Sequence, residues 1–285
     1  MADLKDKEEW LTVISPRQRW FDLRLRELWQ YRDLVLLFVR RDFVSVYAQT
    51  ILGPLWFLLQ PLLMTIVFTV IFGQIAQLST DGIPQVLFYL SGVIVWNYFA
   101  SCLGGTSNTF VGNASLFGKV YFPRLVVPVS IVISNLITFA IQFFLFIVFY
   151  VYFIVKTDLI IPQYLILLLP LLILQAAMLG LGCGIIVSSL TTRYRDLTYL
   201  VSFGIQLWMF VSPVVYPSSQ VPERWRWLFS LNPVAPLIET FRYAFLGVGA
   251  FEPWHLATSL CATVAILIAG IMLFSRIEKN FMDTV

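Results

Sequence analysis

Residues 125–155 read LVVPVSIVISNLITFAIQFFLFIVFYVYFIV, without one charged side chain. About 20 apolar residues in helical form cross the hydrocarbon core of a bilayer, and this run exceeds that length. At such depth an open-chain segment must satisfy its own backbone, which only a helix can do. The stretch has five companions free of charge, at 43–80, 82–118, 159–192, 197–222 and 253–275. Together they predict transmembrane helices near 51–73, 86–109, 126–154, 160–190, 198–216 and 254–275.

Composition points the same way. The chain of 285 residues is 59% hydrophobic, 16% aromatic and only 12% charged. A soluble domain carries about a quarter charged residues, so the fold class is an all-α integral membrane protein with six transmembrane helices. The net charge of +3 is best read by position. With the N-terminus in the cytoplasm, 15 of the 19 Lys and Arg residues fall inside: those before residue 47, and Lys119, Arg124, Arg193, Arg195, Arg276 and Lys279. Only Lys156, Arg224, Arg226 and Arg242 fall outside, so both termini are expected to be cytoplasmic. The polar first forty residues argue against a cleavable signal peptide. The organisation is then a cytoplasmic N-terminus (1–48), a transmembrane domain (49–275) and a cytoplasmic tail (276–285).

Three segments outside the spans have their own character. Residues 20–32, WFDLRLRELWQYR, place Phe21, Leu25, Leu28 and Trp29 on one helical face, which suits an amphipathic helix at about 18–32 lying in the membrane interface. The inside loop 115–128, SLFGKVYFPRLVVP, brackets two aromatics and a proline with Lys119 and Arg124. The outside region 217–250 holds Trp225 and Trp227, then LNPVAPLIETFRY at 231–243. Asn232 and Pro233 suit a turn there, and Pro236 suits a helix start. Glu239 and Arg242, three residues apart, can share a helical face as an ion pair. This predicts two short re-entrant helices, 223–230 and 236–245, on the outer side before the last span.

Little in the sequence suggests an enzyme. GNASLFGKV at 112–120 fails the spacing of a phosphate loop and lacks the Ser or Thr after its lysine. The single histidine, His255, stands beside Trp254 at a helix start, as interfacial residues do. Cys102, Cys183 and Cys261 sit in apolar stretches at unrelated spacings, which suits packing rather than a metal or disulfide. No catalytic residue, metal site or nucleic-acid surface is expected.

Two spans carry aromatics at helical spacing. Tyr89, Gly92, Trp96 and Phe99 share a face in the second; Tyr199, Phe203, Gln206 and Phe210 share one in the fifth. Such faces serve packing and interfacial belts, or line a path on which sugar rings slide. The uncharged polar residues Gln60, Asn97, Asn135, Gln142 and Gln206 lean toward a path, because such groups prefer the protein interior. None of the six intervals holds the charged ion-coupling group that a secondary transporter needs, so the driving energy comes from elsewhere.

At this point the residues carry a resemblance. RRDFVSVYAQTILGPLWFLLQPLLMTIVFTVIFG (40–73), KVYFPRLVVPVS (119–130), YRDLTYLVSFGIQLWMFVSPVVYP (194–217) and LNPVAPLIETFRYAFLG (231–247) resemble the permease subunits of ABC-2 type polysaccharide exporters. The O-antigen and teichoic-acid exporters are the nearest group. The resemblance implies a six-span homodimer in the bacterial inner membrane. Two copies of a separate ATPase subunit would bind ATP and Mg, leaving this chain without a cofactor and not itself an enzyme. It implies a coupling segment at Lys119, Tyr121, Phe122, Pro123 and Arg124, with the loop at Arg193, Arg195 and Asp196 as a second cytoplasmic contact. It also implies channel lining by Tyr89, Trp96, Phe99, Phe203, Gln206 and Phe210. The outer exit would be gated by the region of Trp225, Trp227, Asn232, Pro233, Glu239 and Arg242. The substrate would be a lipid-linked polysaccharide, undecaprenyl-linked O-antigen first, with Arg40 and Arg41 available to its pyrophosphate. Other readings are teichoic-acid or capsular glycan export, drug or small-lipid export on the same fold, a membrane-embedded lipid- or glycan-processing enzyme, and an assembly protein without transport.

Overall fold

The charge-free runs become helices in the computed structural model, which describes residues 25–47, 50–120, 122–157, 160, 162–192, 194, 196–249 and 251–280. The order is α1 (Leu25–Gln30), α2 (Arg32–Tyr47), α3 (Trp56–Phe68), α4 (Gln85–Ser107), α5 (Thr109–Gly112), α6 (Ala114–Phe117), α7 (Val126–Lys156), α8 (Leu169–Thr191), α9 (Leu197–Val211), α10 (Arg226–Leu231), α11 (Ala235–Leu246) and α12 (Pro253–Asn280). A π-helical segment, Thr69–Ile75, prolongs α3, and a 3-10 turn, Tyr164–Leu168, leads into α8. No strand occurs among the described residues.

Five of these helices are long and apolar enough to cross a bilayer: Gly53–Ile75, Gln85–Ser107, Val126–Lys156, Tyr164–Thr191 and Pro253–Ile277. The expected sixth, 198–216, is shorter than predicted. α9 ends at Val211 after 15 residues, about 22 Å at 1.5 Å per residue and short of a core about 30 Å thick. The cause is local. Ser212 precedes Pro213 and takes the extended conformation, φ −95° and ψ 151°, since a proline ring crowds a preceding helical residue. Asn232 then fastens the break, donating to Ser212 Oγ at 2.9 Å and accepting from Trp208 Nε1 at 3.0 Å.

The predicted interface helix divides as well. Leu25 opens α1, Leu28 packs toward the buried cluster around Phe38, and Trp29 is 71% exposed. Residues 18–24, including Phe21, lie outside the described residues.

α4 is the central element. Leu87 through Val95 are buried without interruption, and α7 and α8 pack along it. Close approach to α8 depends on small residues: a methyl group on Gly184 would collide with Thr106 and the Leu103 carbonyl, and one on Gly180 with Cys102. α12 packs on the other side of α8, where Gly270 faces the Gly182 carbonyl. Small residues that let backbones meet are a common device of helix packing in membranes, where lipid tails offer no hydrophobic drive between helices.

The core falls into two clusters. The larger joins α4, α7, α8 and α11, where the Phe245 ring contacts those of Phe146, Tyr150 and Phe241. The smaller sits where α2 meets the α5–α7 region and α12, and is built on Phe38, Phe110, Phe117, Phe122 and Phe274.

Candidate functional site

Four places bear on function: the 119–124 loop, the two aromatic faces, the 223–246 hairpin, and a polar cavity between α3, α4 and α7.

The loop is anchored at one end and open at the other. Phe122 is 5% exposed, packing at 5.9 Å from the Phe38 ring and 5.6 Å from Phe117. Pro123 is buried, the Arg124 guanidinium lies 5.5 Å over the Phe117 ring, and Lys119 and Val120 are exposed. A segment tied by Phe122 to α2 and by Phe117 to the α5–α6 corner moves with both, which is what rigid-body coupling requires. Tyr121, Arg193 and Arg195 lie outside the described residues; Asp196 stands exposed just ahead of α9.

The two aromatic faces have opposite fates. Tyr89, Trp96 and Phe99 are sealed inside the chain at 0%, 3% and 0% exposure. Trp96 and Phe99 pack edge-on against Trp208 of α9, at 6.5 and 5.2 Å. Phe203, Gln206 and Phe210 point away from the bundle and are exposed, together with Tyr199, Leu200 and Leu207. In this conformation α4 gives its aromatics to the core, while α9 presents an apolar ladder with one amide in it.

The hairpin follows the predicted outline: a 3-10 turn at Glu223–Trp225, then α10, a turn at Asn232 and Pro233, and α11. Pro236 stands in the first turn of α11, and Gly247 ends it with a left-handed φ of 71°, a conformation that glycine adopts without steric cost. Trp225 and Trp227 are exposed and Asn232 is buried.

The expected Glu239–Arg242 ion pair is not formed. Arg242 turns the other way and is 3% exposed. Its guanidinium lies 3.7 Å from the centre of the Phe88 ring, and its Nη2 donates to the carbonyls of Phe88 and Val214, each at 3.3 Å. Nε donates to Ser91 Oγ at 3.4 Å. A planar cation with several donors satisfies itself better against two carbonyls, a hydroxyl and a ring face than against one carboxylate. Gly92 is what admits it: a methyl group there would lie 2.9 Å from Nη2 and 2.9 Å from the Val214 carbonyl oxygen. The clamp ties α11 to α4 and to the turn after α9.

Glu239 instead faces a cleft of about 480 Å³ shared with Asp81, Ser218, Arg226, Glu252 and His255. Burial pushes its carboxyl above the usual range, opposed by a Ser218 hydrogen bond and by the Arg242 charge. His255 Nδ1 lies 3.1 Å from Glu252.

The fourth place is one that the sequence named only in pieces. Gln60 of α3, Asn97 of α4, and Asn135 and Gln142 of α7 converge on one cavity of about 500 Å³. Ser101, Ser134 and Thr138 add hydroxyls, and Phe43 and Phe57 form a stacked wall, 5.9 Å apart with planes 19° from parallel. Asp42 of α2 stands at the same end as the start of α3. Arg41 pairs with Asp42 at 2.7 Å and covers the Phe38 ring at 4.7 Å; Arg40 is exposed. Of the five amides singled out in the sequence, Gln206 alone stays apart, on α9.

Comparison with known proteins places the chain in a family. The family described as ABC-2 type transporter matches residues 33–246. The O-antigen export system permease protein RfbA of Klebsiella pneumoniae is 27% identical over 252 residues, covering 88% of this chain and 94% of that protein. RfbA of Myxococcus xanthus is 27% identical over 263 residues, 92% and 98% of the two chains. The polysialic acid transport protein KpsM of Escherichia coli is 24% identical over 253 residues, 86% and 93%.

Proposed function

We propose, from the premise that this chain belongs to the ABC-2 type transporter family, that it is the inner-membrane permease subunit of an ABC transporter exporting a surface polysaccharide. The observation that carries this reading is likeness along nearly the whole length of several polysaccharide export permeases. The substrate is a lipid-linked glycan, with undecaprenyl-linked O-antigen the first choice. Teichoic acid or a capsular glycan is the second, favoured by the likeness to a polysialic acid transport protein.

The mechanism divides the work. ATP and Mg bind a separate ATPase, present in two copies, and this chain supplies the path. Lys119 at the open end of the anchored loop is the contact for that partner, and Phe122 and Arg124 carry its movement into α2 and α5–α6. A second copy of the chain stands opposite the exposed α9 ladder of Phe203, Gln206 and Phe210, leaving a channel between the copies in which the rings offer π-faces on which sugars stack and slip. α9 with the turn that follows forms the sixth crossing. Both termini are cytoplasmic, as the Lys and Arg placement favours. The α10–α11 hairpin enters the outer leaflet as a re-entrant element and gates the exit.

Deleting the gene tests this reading. Lipid-linked glycan should accumulate in the cell while the surface glycan disappears, and chemical analysis of the retained glycan separates O-antigen from capsule or teichoic acid. Surface glycan at the parental level in the deletion strain would overturn the assignment.

A further inference from the structure

Polar groups inside a membrane bundle are costly and tend to mark a path or a bound solute. Here four side-chain amides from three helices meet in one cavity whose size suits a small-molecule site, typically about 300–1,000 Å³. An amide both donates and accepts hydrogen bonds, as does a sugar hydroxyl, so a set of amides matches a polyol in a way that a row of cations or apolar groups does not. The hydroxyls of Ser101 and Thr138 extend the match, and Ser134 Oγ is buried without a hydrogen-bond partner. The parallel rings of Phe43 and Phe57 supply the other half of sugar recognition, an apolar wall for the C–H face of a pyranose.

Electrostatics narrows the ligand. Among the described residues, Asp42 is the one charged side chain lining the cavity, and Arg41 already pairs with it. A phosphate placed here would meet a carboxylate across a low-dielectric gap without a lining cation, which disfavours it. The ligand that fits is neutral and rich in hydroxyls.

We propose that the cavity between α3, α4 and α7 is a recognition pocket for a neutral sugar ring of the exported glycan, separate from the aromatic ladder of α9. The inference rests on the polysaccharide-export reading and adds to it where the glycan is first held. Asn97 and Gln142 bind the ring hydroxyls, and Phe43 and Phe57 cover its apolar face.

The test uses the full chain in cells that make their own glycan. Ser101→Cys places a thiol in the pocket wall, and its labelling by a membrane-permeant maleimide is followed by mass spectrometry, with the unsubstituted chain as background. Labelling should be several-fold slower in cells making the lipid-linked glycan than in cells whose first glycosyltransferase is deleted. Asn97→Leu and Gln142→Leu, near-isosteric and apolar, should each lower surface glycan about tenfold at unchanged membrane abundance, the equivalent of about 1.4 kcal/mol. Labelling indifferent to glycan synthesis would overturn the pocket, as would parental export by both leucine variants, which would mark it as lipid-filled. If the deletion strain loses its surface glycan but labelling is indifferent, the pocket proposal alone fails. If the deletion strain keeps its surface glycan, the export reading fails first.

Discussion

Gly92→Ala is a change of one methyl group that should loosen the outer half of the bundle. The new Cβ would stand 2.9 Å from the Arg242 Nη2 and 2.9 Å from the Val214 carbonyl oxygen. Alanine recovers about 1 kcal/mol of helix propensity over glycine. Against that, overpacking a buried contact costs about 1–3 kcal/mol. Displacing the guanidinium also weakens charged hydrogen bonds worth about 1.5–3 kcal/mol each, those to Phe88 and Ser91 at 3.3 and 3.4 Å. The balance is a loss of about 2 kcal/mol. Part of it comes from Val214 and is independent of residue 242; the rest requires the arginine. In an Arg242→Met background a flexible thioether yields to the methyl group, so the same substitution should cost about 1 kcal/mol or less. The double-mutant cycle should therefore return a coupling of about 1 kcal/mol. Equilibrium unfolding of the four proteins in mixed micelles, followed by tryptophan fluorescence, measures it. Equal costs of Gly92→Ala in the two backgrounds would refute the idea that Gly92 exists to seat the guanidinium.

Two further outcomes follow from the inner cluster and the central helix pair. Phe122→Ala should cost about 3–5 kcal/mol, as for other buried phenylalanines, whereas exposed Lys119→Glu should stay within about 0.5 kcal/mol yet reduce export; unfolding and surface-glycan assays on the same variants separate anchor from contact. Gly184→Val should lose about 3 kcal/mol by forcing α8 off Thr106 and the Leu103 carbonyl, and parental stability in the same unfolding assay would show that the two helices meet less closely.

Helix positions were legible because charges are so sparse: the interval 82–118 predicted 86–109, and α4 runs Gln85–Ser107. The early end of α9 was legible too, since Pro213 marks it, but a charge-free run reaching 222 outweighs one proline when only charge and length are weighed. Periodicity could not separate the two aromatic faces. Tyr89, Trp96 and Phe99 repeat much as Phe203, Gln206 and Phe210 do, and whether a face turns inward is set by neighbours that spacing cannot name. Arg242 shows the same boundary more sharply. Local spacing offered Glu239, three residues away, while the acceptor it reaches on Ser91 is 151 residues distant. The polar cavity was legible as a list of amides; their meeting is tertiary, and Asp42, Phe43 and Phe57 carry no signal that would have joined them to it.

The clamp on Arg242 also bears on how the chain is made. Synthesis runs from the N-terminus, and earlier segments settle before later ones appear. Phe88, Ser91 and the Val214 carbonyl all precede residue 242, so every acceptor for the guanidinium is already threaded when the cation emerges from the ribosome. A lone arginine released into lipid would cost several kcal/mol; here it meets a waiting socket. A chain with α4 misplaced would leave this guanidinium without the Phe88 and Ser91 acceptors, so correct seating of α11 depends on α4 being in place first.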